Sequence, residues 1–362
     1  MAFKNPAAMA EALEMTRSGR LADATAIIRA TVSGAFAGVS PDPVEQGAGP
    51  TCLEPLRALS SHTRSERADV PADAEPGADE HGFLQKSYTS AKKTLHYRLY
   101  VPSKVGVGAP LVVMLHGCTQ SAEDFARGTG MNALADQHGF IVAYPSQTHA
   151  ANAQKCWNWF KPSDQQRDRG EPAMIAGLTR QVIAEQHCDE GRVYVAGLSA
   201  GGAAAAIMAN AYPDIYAAVG VHSGLPCEAA RDLPSALMAM RQGGRAGSSA
   251  PHPGRFVPVI TFHGDRDNTV SEINSRDIVA AASALAGPLT TRSESGQIPR
   301  GRRYTREISL NARGQAVIEQ WTIHGGGHAW SGGSATGSYT DSLGPDASSE
   351  MLRFFFEHRM TG

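Results

Sequence analysis

The chain has 362 residues, with 33 basic and 35 acidic side chains and a formal net charge of −2 at pH 7. This length accommodates one large domain with a sizeable core, and the near balance of charge indicates no nucleic-acid-binding surface. No run of apolar residues reaches the length of a membrane-spanning helix, so no membrane span is expected.

The first 82 residues differ in composition from the rest of the chain. Residues 1–33 carry apolar side chains at near-helical spacing, which predicts a short amphipathic helical segment. Residues 34–82 are rich in Pro, Gly and Ala, which is typical of a flexible linker. The first 30 residues lack the pattern of a signal peptide. A compact domain is then expected over residues 83–362.

Within that domain, short apolar segments alternate with amphipathic ones. Strands are predicted at Leu95–Val101, Leu111–Leu115, Phe140–Tyr144, Arg192–Ala196, Ala217–Val221, Phe256–Phe262 and Ala316–Ile323. Helices are predicted at Phe125–His138, Pro172–His187, Ala203–Tyr212, Glu272–Leu285 and Ala347–His358. The polar segments 242–254 and 287–303 are expected to be surface loops. This alternation predicts an α/β fold with a mostly parallel, doubly wound sheet, helices on both faces, and ligands at the carboxyl ends of its strands.

One serine stands between a predicted strand and the helix that follows it. The segment Gly197-Leu198-Ser199-Ala200-Gly201 matches Gly-x-Ser-x-Gly, in which the serine occupies a sharp strand-to-helix turn at the edge of the sheet. A serine that only caps the helix is the alternative. The strand before Ser199 and the helix after it favour a nucleophile.

Partners for this serine follow two later strands. Asp265 and Asp267 come after the strand that ends at Phe262, and either carboxylate could orient a histidine. His324 and His328 follow the strand that ends at Ile323. His328 is the preferred base, because three glycines between the two histidines let the backbone turn it toward a neighbouring site. The chain order Ser, Asp, His is that of the α/β-hydrolases.

An oxyanion hole requires two backbone N–H groups beside the nucleophile. Ala200 directly follows Ser199 and is expected to supply the first. The second is expected from Cys118 or Thr119, which follow the strand Leu111–Leu115, and the sequence does not separate the two. Cys118 and Cys156 both follow predicted strands and could meet at the same sheet edge, so a disulfide between them is the alternative to ordinary half-buried thiols, which are favoured. None of the five cysteines forms a Cys-x-x-Cys pair, and no metal site is expected.

Four further residues are candidates for substrate contact. Trp157 and Trp159 lie in a predicted loop with Phe160. This loop could form an aromatic-lined groove for a ligand or pack over the core, and the sequence favours neither. Trp330 follows His328 by two residues. His222 ends a predicted strand at the edge of the site, and a structural supporting role is favoured for it.

These motifs resemble the polyhydroxybutyrate depolymerase family of esterases, relatives of feruloyl and acetylxylan esterases. The resemblance covers about Phe83 to His358 and rests on Leu115–Gln120, Cys156–Phe160, Ala196–Gly202, Val221–Gly224 and Gly327–Trp330. It implies an α/β-hydrolase fold and serine ester hydrolysis without a cofactor. It also implies that the acid is Asp267 rather than Asp265, since Asp267 matches the family pattern His-Gly-x-x-Asp-x-x-Val. Family members are often secreted, so an extracellular location is expected, with a cytoplasmic one as the alternative because no signal peptide is visible.

The expected function is therefore carboxylic-ester hydrolysis through an acyl-enzyme, on poly(3-hydroxybutyrate)-type polyesters or their oligomers. Feruloyl or acetyl groups on plant polysaccharide are the alternative substrates. A serine peptidase and a catalytically dead hydrolase that serves as a binding module are more distant alternatives. The acyl group, the alcohol and the oligomeric state stay open.

Overall fold

The computed structural model describes residues 83–91, 93–244 and 255–360. The predicted helical segment 1–33 and the predicted linker 34–82 lie outside the described residues, as does most of the predicted loop 242–254. Within the described part, a ten-stranded sheet carries helices on both of its faces.

The elements follow in chain order. The strands are β1 Phe83–Ser90, β2 Lys93–Tyr100, β3 Leu111–Leu115, β4 Ile141–Ser146, β5 Val193–Leu198, β6 Ala218–His222, β7 Val259–Gly264, β8 Thr290–Gln297, β9 Arg303–Leu310, β10 Ala316–Ile323, β11 Trp330–Ser331 and β12 Thr340–Asp341. The helices are α1 Ala122–Thr129, α2 Met131–His138, α3 Gly170–Gln186, α4 Ala200–Ala211, α5 Leu233–Gln242, α6 Ile273–Ala286 and α7 Ala347–Phe356.

The strand order of the large sheet is β1-β2-β4-β3-β5-β6-β7-β10-β9-β8. The six strands from β4 to β10 in this order are parallel, while β1 and β2 at one edge and β9 and β8 at the other are antiparallel. Parallel strands end at a common edge, so the segments after β3, β5, β6, β7 and β10 meet there. The prediction of a mostly parallel sheet is confirmed.

Residues of β3 show how the core is divided. Leu111, Val113 and Leu115 point into one apolar cluster with α3, α4, α5 and α6, while Val112 and Met114 point into another with α1, α2 and α7. A strand that is buried on both faces consists of an almost continuous run of apolar residues, which explains why the central strands are predictable from the sequence. The predicted central strands are all present, with ends shifted by a few residues at most.

Two predicted elements are wrong. The single helix Phe125–His138 is two helices, because Gly130 at φ 64° ends α1 and starts α2 in the left-handed region. The loop 287–303 contains β8, which pairs with β9 in an antiparallel hairpin at the sheet edge. Almost every β8 side chain is exposed, so its sequence lacks the apolar alternation by which a strand is recognised.

Besides β8, five of the strands and α-helices of the described chain were not predicted: the strands β1, β9, β11 and β12 and the helix α5. The edge strand β1 is paired only with β2 and is mostly exposed, so it carries a weak apolar signal. Helix α5 begins at a capping box in which Asp232 accepts a hydrogen bond from Ser235 N, and it has few buried residues.

Candidate active site

Ser199 lies on a strained turn between β5 and α4. Its backbone angles are φ 58° and ψ −120°, a conformation that residues other than glycine rarely adopt. The turn is held by a hydrogen bond from Ser199 N to His222 O at 2.9 Å and by one from Ala203 N to Ser199 O at 2.9 Å. The helix start therefore fixes the serine at the carboxyl edge of the sheet.

The glycines on either side of Ser199 let three backbone segments touch. A Cβ atom at Gly201 would overlap the Leu115 carbonyl oxygen, and one at Gly197 would overlap the backbone of Gly201. Because the end of β3, the end of β5 and the start of α4 meet here, the Gly-x-Ser-x-Gly pattern is a packing requirement of the turn.

Asp267 and His328 are brought together by the loops after β7 and β10. His328 Nδ1 donates to Asp267 Oδ2 at 2.6 Å, while Asp267 Oδ1 accepts from Thr269 N and Val270 N at 2.8 Å each. The Asp267 side chain is fully buried. Burial opposes ionisation, but the hydrogen bonds from His263 and His328 outweigh it and hold the pKa of Asp267 well below its usual range. An ionised Asp267 keeps the proton of His328 on Nδ1 and leaves Nε2 as a base.

The alternative acid and base form a separate pair. His324 Nδ1 donates to Asp265 Oδ2 at 3.0 Å, and Gly325 N donates to Asp265 Oδ1 at 2.7 Å. The other ring nitrogen of His324 contacts Thr305 Oγ1 at 2.9 Å. This pair ties the loops after β7 and β10 to β9. Asp265 and His324 therefore form a hydrogen-bonded pair that is separate from the pair of Asp267 and His328.

The loop after β3 lies against the nucleophile. A Cβ atom at Gly117 would lie 3.5 Å from Leu198 O and 3.6 Å from Ser199 Cβ. Thr119 N already donates to Gln154 O at 2.7 Å, whereas Cys118 N and Ala200 N form no hydrogen bond with another described residue. The geometry therefore favours Cys118 over Thr119 as the second candidate oxyanion donor.

A neutral histidine shapes this loop. His116 donates from Nδ1 to Gly117 O at 2.7 Å and accepts at Nε2 from Gln147 N at 3.0 Å. Burial lowers the pKa of His116 to about 4, although its hydrogen bond to Gly117 opposes the shift. Trp157 Nε1 donates to His116 O at 3.1 Å. Sequence reasoning missed this role, for which the position of His116 directly after a buried strand is the available signal.

A disulfide joins Cys118 to Cys156 and so ties the loop after β3 to the segment that carries Trp157, Trp159 and Phe160, here called the aromatic loop. The sequence-based preference for ordinary thiols at these two positions is therefore wrong, and the disulfide that was the alternative is formed. The other described cysteines, Cys188 and Cys227, are free thiols.

Glu171, at the start of α3, collects three hydrogen bonds from the loops around this disulfide. Its carboxylate accepts from Asn158 N at 2.7 Å, from Asn158 Nδ2 at 2.5 Å and from Gln147 Nε2 at 2.5 Å. Burial raises the pKa of Glu171 to about 7, although these hydrogen bonds oppose the shift. The sequence offered no motif that would single out this residue.

A family model described as Esterase PHB depolymerase matches residues 95–294. The chain belongs to this esterase family. The resemblance inferred from the motifs is thereby confirmed.

Two curated relatives and one solved structure illustrate the similarity. Poly(3-hydroxyalkanoate) depolymerase C of Paucimonas lemoignei is 34% identical over 63% of this chain and 57% of that protein. Feruloyl esterase B of Thermothelomyces thermophilus is 29% identical over 55% of this chain and 72% of that protein. An acetyl xylan esterase structure from Aspergillus awamori aligns with a TM-score of 0.58 at 19% identity, covering 76% of this chain and 99% of that chain. This last likeness confirms the α/β-hydrolase fold, while the chain spans little more than half the length of the depolymerase.

The four predicted substrate-contacting residues of this esterase family member lie below the surface. Trp157 and Trp330 are 1% exposed, Trp159 is 6% exposed and His222 is fully buried. In this conformation they support the loops of the site and present almost no surface to a ligand. Tyr339, which the sequence did not indicate, is 46% exposed, and its hydroxyl lies 3.1 Å from Thr119 Oγ1.

Among residues 83–91, 93–244 and 255–360, no three His, Cys, Asp or Glu side chains are grouped in a way that could hold a metal ion. In the same part of the chain, no helix has both the length and the apolar character needed to cross a membrane.

Proposed function

We propose that this chain is a serine carboxylic-ester hydrolase with Ser199, His328 and Asp267 as its catalytic triad. The observation that carries the proposal is the 2.6 Å hydrogen bond between His328 Nδ1 and the buried Asp267, at the sheet edge where the strained Ser199 turn lies. His328 Nε2 takes the proton of Ser199 Oγ as the serine attacks the ester carbonyl. Asp267 stays ionised and stabilises the imidazolium that forms.

The backbone supplies the remaining groups. Ala200 N and Cys118 N donate hydrogen bonds to the oxyanion of the tetrahedral intermediate. The intermediate collapses to an acyl-enzyme on Ser199, and the alcohol leaves with the proton held by His328. Water, deprotonated by the same histidine, then releases the acid and restores the serine.

Polyesters of the poly(3-hydroxybutyrate) type, or their oligomers, are the proposed substrates. The family and the depolymerase of Paucimonas lemoignei support this assignment. Feruloyl or acetyl esters of plant polysaccharide are the second candidates, supported by the feruloyl esterase and the acetyl xylan esterase to which the chain is similar. A catalytically dead binding module is disfavoured, because the acid and base candidates keep a working hydrogen-bond geometry.

An extracellular location is part of the proposal. The Cys118–Cys156 disulfide supports it, since disulfides persist in oxidising compartments and are rare in the reducing cytosol.

The test is a side-by-side hydrolysis assay on polyhydroxybutyrate film, hydroxybutyrate oligomers, methyl ferulate, acetylated xylan and p-nitrophenyl butyrate. We expect turnover of the hydroxybutyrate substrates and of p-nitrophenyl butyrate, and its loss in Ser199→Ala. Ser293→Ala, a change at an exposed serine of β8, is the matched control and should keep full activity. Preference for methyl ferulate or acetylated xylan would select the second substrate class, and turnover retained by Ser199→Ala would contradict the mechanism.

A further inference from the structure

A buried histidine, His222, lies between the nucleophile turn and the loop that carries His328. It is the last residue of β6, which pairs with β5 on one side and β7 on the other. Its carbonyl oxygen accepts a hydrogen bond from Ser199 N at 2.9 Å, and its imidazole Nε2 accepts one from Ser331 N at 3.0 Å. One residue thus binds the backbone of the nucleophile and the backbone just beyond the base.

These contacts define the protonation of the ring. A backbone N–H can only donate, so Nε2 of His222 carries a lone pair and the proton sits on Nδ1, which donates to Ser223 Oγ at 3.2 Å. Burial lowers the pKa of His222 well below its usual value, and nearby His263 and His328 act in the same direction while Asp267 opposes them. The imidazole is therefore neutral and able to accept.

The ring is also fixed by stacking. It lies between Trp330, with ring centroids 5.1 Å apart, and Phe262, with centroids 5.8 Å apart. Trp330 in turn donates from Nε1 to Ser348 Oγ at 3.0 Å. The segment after His328 is consequently held by its backbone and by a packed side chain, while Asp267 holds the His328 ring itself.

We infer that His222 is a positioning residue that sets the placement of His328 relative to Ser199. The inference rests on the proposed triad and goes beyond it, because His222 touches neither the ester nor the reacting atoms. It acts through hydrogen bonds to two backbone N–H groups, one in each segment. Small displacements of a catalytic group reduce turnover strongly, by about 100-fold for a misplacement of about 1 Å, so loss of this link should affect kcat more than KM.

Three variants separate positioning from general stability. His222→Phe keeps an aromatic ring for stacking but offers no acceptor, which leaves the buried Ser331 N–H unpaired. His222→Gln can place an amide oxygen near the former position of Nε2. His358→Phe is the matched control, because His358 is also buried and donates from Nδ1 to Phe354 O at 2.7 Å, but follows the last helix, α7, away from the triad loops.

The experiment measures kcat and KM for p-nitrophenyl butyrate, and the rate of fluorophosphonate labelling, at a temperature where melting curves show every variant folded. We expect His222→Phe to lower kcat and the labelling rate about 10- to 100-fold with KM changed less than about twofold. His222→Gln should recover most of that loss. His358→Phe should lower the Tm and leave kcat within about twofold of the parent value.

Two results would overturn the inference: a kcat for His222→Phe no lower than that of His358→Phe, or a kcat for His222→Gln as low as that of His222→Phe. If His222→Phe does not fold, Ser223→Ala serves instead, because it leaves the buried Nδ1–H without its acceptor and so disfavours the tautomer whose Nε2 accepts from Ser331 N. It should reduce kcat severalfold at unchanged KM, and an unchanged kcat would likewise overturn the inference. Turnover retained by Ser199→Ala would contradict the triad instead, so the two failures are distinguishable.

Discussion

Asp265 and Asp267 stand two residues apart after β7, yet each binds a different histidine. Asp267 is fully buried and receives two backbone N–H groups as well as His328 Nδ1. Asp265 is one-third exposed and pairs with His324. Asp267, the more buried carboxylate with the larger number of hydrogen bonds, is the one we propose as the triad acid.

The paired substitutions Asp267→Asn and Asp265→Asn test this assignment. Asparagine keeps the size of the side chain but removes the charge and disfavours the Nδ1–H tautomer of the histidine beside it. We expect Asp267→Asn to lower kcat for p-nitrophenyl butyrate by about 10³- to 10⁴-fold. Asp265→Asn should stay within about threefold of the parent kcat, because in the proposed mechanism His328, and not His324, takes the proton of the serine. Equal losses in the two variants would contradict the assignment.

The triad candidates were predictable from the sequence because each directly follows a strand and lies in a short motif. His116 and Glu171 were not, although both are tightly held in the structure. Each is a single residue whose partners come from segments that meet only after folding. Trp157 was predicted near the site, but its burial depends on loop packing that the sequence pattern does not specify.

At the level of elements, the loop after β3 depends on its neighbours for its shape. The disulfide ties it to the aromatic loop, and His116 ties it to Gln147, directly after β4. Glu171 of α3 accepts hydrogen bonds from Gln147 and from Asn158 of the aromatic loop, and so connects these two neighbouring segments. The candidate oxyanion donor Cys118 is therefore clamped by a covalent bond at its own side chain.

Removing this clamp should cost both stability and turnover. The bridge spans a sequence separation of 38 residues, and a loop of that size contributes about 4 kcal/mol to the free energy of unfolding in the chain-entropy model. We expect the double variant Cys118→Ser, Cys156→Ser to lower the Tm and reduce kcat severalfold. Dithiothreitol should impair the parent protein similarly and have no further effect on the double variant. A reduced parent protein with unchanged Tm and kcat would contradict the expectation.

The elements themselves were predictable to different degrees. Central strands such as β3 and β10 are buried on both faces, and their apolar runs mark them clearly. The edge strands β1 and β8 are held by backbone pairing and leave their side chains in solvent, so their sequences resemble loops. The break between α1 and α2 depends on one glycine, and the amphipathic pattern continues across it.

On the scale of the whole molecule, the buried carboxylate of Glu171 links stability to pH. The fold raises its pKa from 4.5 to about 7, so between these values the folded state binds more protons than the unfolded state. The free energy of unfolding therefore falls as the pH rises from about 4.5 to about 7, and this contribution is constant above that range.

The variant Glu171→Gln isolates this effect, because it cannot titrate. Chemical denaturation of both proteins across pH 4 to 8 gives the difference between their free energies of unfolding. As the pH rises, the free energy of unfolding of the parent should fall relative to that of Glu171→Gln by roughly 1 to 3 kcal/mol in total. A difference that is independent of pH would show that Glu171 titrates normally. A relative gain with rising pH would require a lowered pKa instead.

The claim on which the rest depends is that Ser199 is an activated nucleophile, and covalent labelling with a fluorophosphonate tests it most directly. Peptide mapping of the labelled protein should place one adduct on Ser199. Labelling should disappear in Ser199→Ala and become slower by orders of magnitude in His328→Ala, because the serine then has no base. His324→Ala should be labelled at nearly the parent rate. An adduct at another residue, or undiminished labelling of Ser199 without His328, would contradict the proposed triad.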